Sequence, residues 1–401
     1  MPSLAALLPL VALATASQAF VTLPLNPVTG REGAYLKGLP DADRARVKLL
    51  KSRASSGPTT VPATNLAYVQ YTTSVGVGSP ATYYNLVVDT GSSNTFVGTG
   101  TKYVRTSTSV PTGQDVNVTY GSGYFSGVEY LDQVTLAPGF VIKDQSIGDA
   151  LSWADFPGVD GIVGVGPADL TVGTLTPDVD ATIPTVMDNA LKQGLIEQEI
   201  LGVSFAPATT YSDTNGALTY GGIDSSLYEG EITYTPLTTT YPAAYYWGIN
   251  ITDSTYGTTP VFTDSTAGIV DTGTTQILLA DDYFDNYIAG IPGAYMDNTT
   301  GLLVVPSSSV AGIQPLNFTI GGTSFALDAA AQLIPEDQNI AWGGSAGVQY
   351  GVVGNLGSLS GEGLDFIVGQ KFMERYYAIF DTLNSRVGFA LTNHTFSTYS
   401  A

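Results

Sequence analysis

Leu86-Val87-Val88-Asp89-Thr90-Gly91-Ser92-Ser93 recurs at positions 268–275 as Gly268-Ile269-Val270-Asp271-Thr272-Gly273-Thr274-Thr275. Each copy is an apolar run with the character of a buried strand, ending in aspartate and followed by Thr-Gly and two hydroxyl residues. One Asp-Thr-Gly carries little weight, because Asp and Gly are common turn residues. Two copies in the same setting carry much more. An apolar strand ending in Asp drives the carboxylate towards the interior, where it needs donors. The following Thr, Gly and Ser/Thr offer hydroxyls and backbone N–H groups.

A second pair of segments follows the same order. Gly161-Ile162-Val163-Gly164 in the first half is echoed by Phe366-Ile367-Val368-Gly369 in the second. Matched pairs in matched order imply two related lobes. If the Asp copies meet across a pseudo-twofold axis, two carboxylates share one site. They cannot both ionise cheaply, so a proton is shared. That gives a base and an acid from identical residues, able to activate a water between them.

Composition narrows the alternatives. The 401 residues are 44% hydrophobic, enough for a large core and for two domains. Tyr, Thr, Ser, Val and Gly abound, favouring strands and turns. There is no Cys, so thiol nucleophiles, thiolate zinc sites and disulfides are excluded. The single His, His394, lies in a polar C-terminal stretch and reads as solvated, which leaves a Ser-His-Asp triad little footing. Acid–base chemistry in this chain falls to carboxylates.

Charge divides the chain. Residues 1–53 hold seven of the 14 Lys and Arg (Arg31, Lys37, Arg44, Arg46, Lys48, Lys51, Arg53) against three acids. The remainder holds seven bases against 32 of the 35 acids. Such a body repels nucleic acid and anionic membranes at neutral pH. Its carboxylates largely protonate at about pH 3–4. Acidity is open to two readings, solubility or adaptation to acid.

Residues 1–19 read as a secretory signal, with an apolar run from Leu4 to Ala16 and small residues before a cleavage site at Ala19. Residues 20–53 read as a basic propeptide docked on the anionic body and released at low pH, with a short helix over Asp41 to Lys51. A junction is expected at Ala54-Ser55-Ser56-Gly57-Pro58. Beyond it lie an N-terminal lobe over 54–225 and a C-terminal lobe over 226–401. Strands are expected at Tyr84 to Val88, Asp115 to Tyr120, Val128 to Leu136, Ala217 to Tyr220 and Gly268 to Val270. Helices are expected at Ile183 to Gln193 (capped by Thr182), Asp281 to Ala289 and Gln370 to Tyr376. No later run is apolar for long enough to span a bilayer.

The chain resembles the pepsin family of aspartic proteases from Val61 to about Thr392. The resemblance implies an all-β, two-lobed fold with a cleft between β-barrel or sandwich lobes. It implies a secreted monomeric endopeptidase working at acid pH on extended peptides without metal or cofactor. Asp89 and Asp271 match the catalytic pair. Thr90 and Thr272 match threonines that lock the two loops together, Gly91 and Gly273 the glycines beside the carboxylates, and Ser92 and Thr274 the hydroxyls on the outer carboxylate oxygens. Gly164 and Gly369 match the glycines of strands that thread each loop. Val118-Thr119-Tyr120-Gly121-Ser122-Gly123 resembles the flap hairpin, with Tyr120 its tyrosine and Gly121 and Ser122 offering backbone groups to substrate.

Two positions depart from the family pattern. Phe96 stands where a Trp usually donates an indole hydrogen bond to the flap tyrosine, so a looser flap is expected. Gln370 stands where the second threading strand is usually followed by Asp, with an effect expected on the pH range of the dyad. Val87, Phe125, Trp153, Phe156 and Ile162 lie near family cleft positions and could line pockets for bulky apolar side chains or simply pack in the core. Glycosylation sequons occur at Asn117, Asn250, Asn298, Asn317 and Asn393, of which a minority is expected to be used.

Two rival readings remain. A carboxylate-pair glycosidase also needs two acids, but not matched Asp-Thr-Gly frames. A catalytically inactive pepsin-like binding or inhibitor protein would normally lose an Asp or a supporting residue, and here both elements are complete.

Overall fold

A computed structural model describes residues 20–27, 33–52, 71–120, 123–207 and 216–396. The expected signal, the junction at 54–58 and Gly121 and Ser122 lie outside these residues.

The internal repeat corresponds to a repeated topology. In the first half, strand Thr82–Asp89 runs parallel to Gly161–Gly164, with Asp89 opposite Gly164. The return strand Phe96–Val97 pairs antiparallel with the other edge of Gly161–Gly164. In the second half, Thr266–Val270 runs parallel to Phe366–Val368, and Ile277–Leu279 pairs antiparallel with the far edge. In both halves the apolar strand passes between an Asp strand and the strand that returns from it. Both flanks are covered, so these strands are apolar throughout rather than alternating.

The passage leaves no room for side chains on the threading glycines. A Cβ on Gly164 would lie 2.5 Å from the Ser93 carbonyl carbon, and one on Gly369 would collide with the carbonyls of Thr274 and Gln276.

Six antiparallel strands of a 14-stranded sheet join the halves. Their order is Val21–Pro27, Gly216–Tyr220, Ile200–Phe205, Tyr376–Asp381, Arg386–Leu391, Glu229–Pro236. Leu201 pairs with both Tyr220 and Phe380, tying the lobes through one strand. Val21–Pro27, from the basic N-terminal segment, links these strands to Tyr71–Val77 of the first lobe through the pairs Asn26–Thr72 and Pro27–Tyr71. A long hairpin, Val110–Thr119 with Tyr124–Ala137, rises from the first lobe.

The expected helices occur with shifted ends. The first is Val186–Lys192, capped by Thr185 rather than Thr182. Thr185 and Asp188 form a reciprocal capping box, which sets the start two residues beyond Pro184. Asp281–Ala289 occurs as expected, whereas Gln370–Met373 is short because Tyr376 begins a strand. Among the described residues, no helix is long and apolar enough to cross a membrane.

The basic segment forms a longer helix than expected, Leu39–Ser52. Its buried residues include Leu39, Ala42, Asp43, Arg46, Val47 and Leu50, spaced at three and four as one helical face requires. Two charged residues therefore sit on the buried stripe.

Candidate active site

Each Asp strand ends against the other lobe, and the threonines fasten the junction. Thr90 N–H donates to Thr272 Oγ1 and Thr272 N–H donates to Thr90 Oγ1, both at 3.0 Å. Each hydroxyl then donates across the axis, Thr90 Oγ1 to Val270 O (3.3 Å) and Thr272 Oγ1 to Val88 O (2.8 Å). Four buried bonds fix the loops relative to each other, with neither side chain left to move.

Above this lock the two carboxylates have matching donors. Asp89 Oδ1 accepts from Gly91 N–H (2.9 Å) and Oδ2 from Ser92 Oγ (2.5 Å). Asp271 Oδ1 accepts from Gly273 N–H (2.9 Å) and Oδ2 from Thr274 Oγ1 (2.6 Å). A Cβ on Gly91 would lie 2.7 Å from Asp271 Oδ1, and one on Gly273 2.5 Å from Asp89 Oδ1. Each glycine thus makes room for the opposite carboxylate.

Sequence reasoning did not single out the group between them. Arg46 Nη2 donates to Asp89 Oδ1 (2.6 Å) and Asp271 Oδ1 (2.9 Å), while Nε donates to Asp271 Oδ2 (2.6 Å). All three side chains are buried. Asp271 receives the two-pronged contact. Burial alone would raise its pKa, but the charge and bonds of Arg46, with those of Thr274 and Gly273, hold it below the ordinary value. Burial pushes Asp89 up, Arg46 opposes this, and the charge of Asp271 adds to it. The pair is therefore split into a stronger and a weaker acid. The signal that would have revealed Arg46 was in the sequence, since 39, 42, 43, 46, 47 and 50 trace one helical face.

The rest of the helix seals the groove. Val47 and Leu50 pack among Tyr246, Ile269, Leu356 and Ile367, and Tyr246 Oη donates to Leu50 O (3.0 Å). Lys51 reaches Ser358 Oγ (2.5 Å) and Glu362 (2.7 Å). Upstream, Leu36 and Leu39 enter a cluster around Trp342 and Tyr350.

Tyr120 follows the first strand of the long hairpin, and its N–H donates to Gly123 O (2.7 Å). Its buried ring lies 5.8 Å from both Phe96 and Phe156. Phe96 stacks on Phe125 at 3.8 Å and meets Phe156 edge-on at 5.2 Å. Val87 and Ile162 join this cluster, so four of the five candidate pocket residues come together under the hairpin. Trp153 does not join them. It is 38% exposed and lines an open cavity of about 620 Å³ with Phe156, Asn85, Thr101 and Asp160.

Gln370 braces the second loop. Its Nε2 donates to Thr272 O (2.7 Å) and its N–H to Thr274 O (2.8 Å). His394 is half-buried rather than solvated, and its carbonyl accepts from Arg375 (3.1 Å). Of the sequons, Asn117, Asn250, Asn298 and Asn393 are exposed. Asn250 Oδ1 accepts from Thr238, and the Asn317 amide nitrogen bonds Thr255 Oγ1 (3.1 Å).

Residues 70–392 match the family model "Eukaryotic aspartyl protease". The chain is 56% identical over 338 residues to polyporopepsin of Irpex lacteus, covering 84% of this chain and 98% of that protein. It is 32% identical over 348 residues to rhizopuspepsin of Rhizopus chinensis, covering 81% and 79%. The fold matches the crystal structure of the aspartic proteinase from Irpex lacteus with a TM-score of 0.82 and 48% identity, covering 95% of this chain and all of that one.

Proposed function

The chain belongs to the pepsin-like aspartic protease family and is an aspartic endopeptidase, and we propose that it is made as a secreted zymogen whose dyad, Asp89 and Asp271, is held shut by Arg46. The carrying observation is the three-bond contact of Arg46 with both carboxylates. That contact fills the space between the inner oxygens, where the reaction needs a water. The guanidinium stays protonated at every working pH, so release depends on the carboxylates taking up protons.

Once the helix withdraws, water bonds both inner oxygens. The ionised carboxyl takes a proton from it as its oxygen attacks the scissile carbonyl carbon. The protonated carboxyl gives its proton to the carbonyl oxygen, forming a gem-diol. Return of a proton from the diol to a carboxylate and protonation of the amide nitrogen break the C–N bond and restore the dyad. The Thr90–Thr272 lock holds the carboxylates in place through both steps. Gly121 and Ser122 receive the extended substrate beneath Tyr120, and Val87, Phe125, Phe156 and Ile162 favour bulky apolar side chains next to the scissile bond.

The 1–19 segment directs secretion and the 20–53 segment is the propeptide. A minority of the sequons carries glycans, drawn from the exposed Asn117, Asn250, Asn298 and Asn393 rather than from Asn317, whose amide is engaged. Purified full-length chain, wild type and Asp89→Asn, is acidified and followed by N-terminal sequencing and casein hydrolysis. Wild type should shorten past residue 53 and digest casein. Casein digestion by Asp89→Asn would reject the dyad.

A further inference from the structure

The helix that carries Arg46 buries a second charged side chain, and the two do not pair with each other. Asp43 is 4% exposed. Its Oδ2 accepts from Gln276 N–H (2.9 Å) and its Oδ1 from Thr275 N–H (3.3 Å), both in the loop that leaves Asp271. Arg46 directs its three bonds to Asp89 and Asp271 instead. Among the described residues no Lys, Arg or His forms an ion pair with Asp43. Behind the loop, Lys371 N–H donates to Thr275 O (3.0 Å), but its ammonium is held by Glu374 at 2.9 and 3.1 Å.

The docked helix therefore encloses three carboxyl groups, Asp43, Asp89 and Asp271, with one guanidinium among them. A buried carboxylate without a counter-charge is costly. Asp43 is the one of the three that has no ion pair, so it gains most from a proton. As a neutral acid it still has acceptor capacity for the two N–H groups.

The three acids differ in where they go. Asp89 and Asp271 stay with the body when the helix departs, whereas Asp43 departs with it. Their responses to acid are opposite. Protonating the dyad removes the partners of Arg46 and loosens the helix. Protonating Asp43 removes an unpaired buried charge and tightens it.

Resting on the reading of residues 20–53 as a propeptide, we propose that Asp43 is a regulatory residue of the zymogen, an acid-side anchor that grips the cleft wall more tightly as pH falls and so holds back release until the dyad itself is protonated. Burial pushes Asp43 up from 3.8 to about 7 despite its two N–H partners; the charge of Asp271 across the groove adds to this and Arg46 on its own helix opposes it. The docked value exceeds the free one, so docking takes up a proton. The contribution of Asp43 is fully present below its free pKa and is lost as pH rises towards 7. Arg46 and Asp43 thus bracket the window of release from opposite sides.

The test compares full-length wild type with Asp43→Asn, a permanently neutral stand-in of the same shape. Hydrogen exchange of the amides of residues 42–52 is read in uncut chain at matched pH, so intrinsic rates cancel. Asp43→Asn should slow this exchange by about tenfold at pH 5 and about a hundredfold or more at pH 7. The pH of half-conversion in Asp43→Asn should fall by about half a unit, opposite to the shift expected for Arg46→Gln. In Asp43→Ala the two N–H groups lose their acceptor, and exchange should exceed that of Asp43→Asn by about five- to tenfold at every pH. An ordinary ionised anchor gives the reverse sign: Asp43→Asn would then exchange faster than wild type at pH 7 and convert at higher pH. Either result, or a ratio of wild type to Asp43→Asn that does not change with pH, overturns the proposal. Shortening past residue 53 and casein digestion by wild type in acid settle the propeptide reading separately, since exchange in the uncut chain does not depend on them.

Discussion

Nη2 of Arg46 lies 2.6 Å from Asp89 Oδ1 and 2.9 Å from Asp271 Oδ1, so one nitrogen bridges the two halves of the molecule. Breaking a buried ion pair from one side costs about 3–5 kcal/mol, because a charge is left without a partner. Arg46→Gln should therefore loosen the helix without touching the dyad. The sign follows from Asp271, which the docked helix holds below its ordinary pKa. Docking energy from that group is present above its free pKa and is lost as pH falls through the lowered value. Without Arg46 the carboxylates protonate more readily, so conversion should begin about one pH unit or more higher. The pH of half-conversion, read by gel and casein hydrolysis, checks this. An unchanged midpoint would remove Arg46 from the latch.

Phe96 was expected to leave the flap loose for want of an indole donor. The packing gives a different balance. Phe96 is fully buried and stacked on Phe125, whose ring already lies 2.7 Å from where a Cβ on Gly148 would sit. An indole there is overpacking, which costs about 1–3 kcal/mol. Phe96→Trp alone should lower Tm and should not raise kcat. Combined with Phe125→Leu, which opens volume beside it, Trp should recover Tm and slow hydrogen exchange in the hairpin relative to wild type. A single Trp variant more stable than wild type would show that the site had spare room.

The dyad, its hydroxyl and glycine supports and the threading strands were legible because each is a local pattern repeated twice. An apolar run ending in Asp-Thr-Gly constrains its own geometry, and Gly164 and Gly369 are demanded by the crossing itself. Arg46 and Asp43 were not singled out because the basic segment was read as docking through its net charge, not residue by residue. Only helical phase shows that they share the buried stripe with Val47 and Leu50. The helix start at Thr185 was misplaced by a competing cap, Thr182, and only the partner Asp188 distinguishes them. Trp153 was grouped with the cleft because it lies near a family cleft position, whereas its ring is 38% exposed beside the open cavity at Asp160.

Gln370 places a neutral amide under the second loop, where its Nε2 donates to Thr272 O at 2.7 Å. A carboxylate in that position would add negative charge beneath the dyad and raise its proton affinity. Gln370→Glu keeps the shape and should move the upper limb of the kcat/KM profile to higher pH by about half to one unit. Once the new acid ionises, it faces the Thr272 carbonyl with no proton to donate. A loss of about 1–3 kcal/mol in stability should appear there and be absent in strong acid. Denaturant unfolding at two pH values, set beside the rate profile, separates the two effects. A profile superimposable on wild type would mean that the charge is not felt by the pair.

Glu129 takes no part in the chemistry yet should set the upper pH limit of the fold. It is 2% exposed, Ser146 Oγ donates to its Oε1, and among the described residues Oε2 has no partner. Burial, only partly offset by the Ser146 bond, pushes its pKa up to about 7. The folded value exceeds the unfolded one, so its contribution is fully present below about pH 4.5 and drains away as pH rises towards 7. A rise of about two to three units corresponds to roughly 3 kcal/mol. Glu129→Gln keeps an acceptor for Ser146 and cannot ionise. It should match wild type near pH 4 and exceed it by about 2–3 kcal/mol at pH 7.5, with the largest gain in the first lobe. Urea unfolding across this range is the measurement. Parallel curves for the two proteins would place the neutral-pH weakness in some other group.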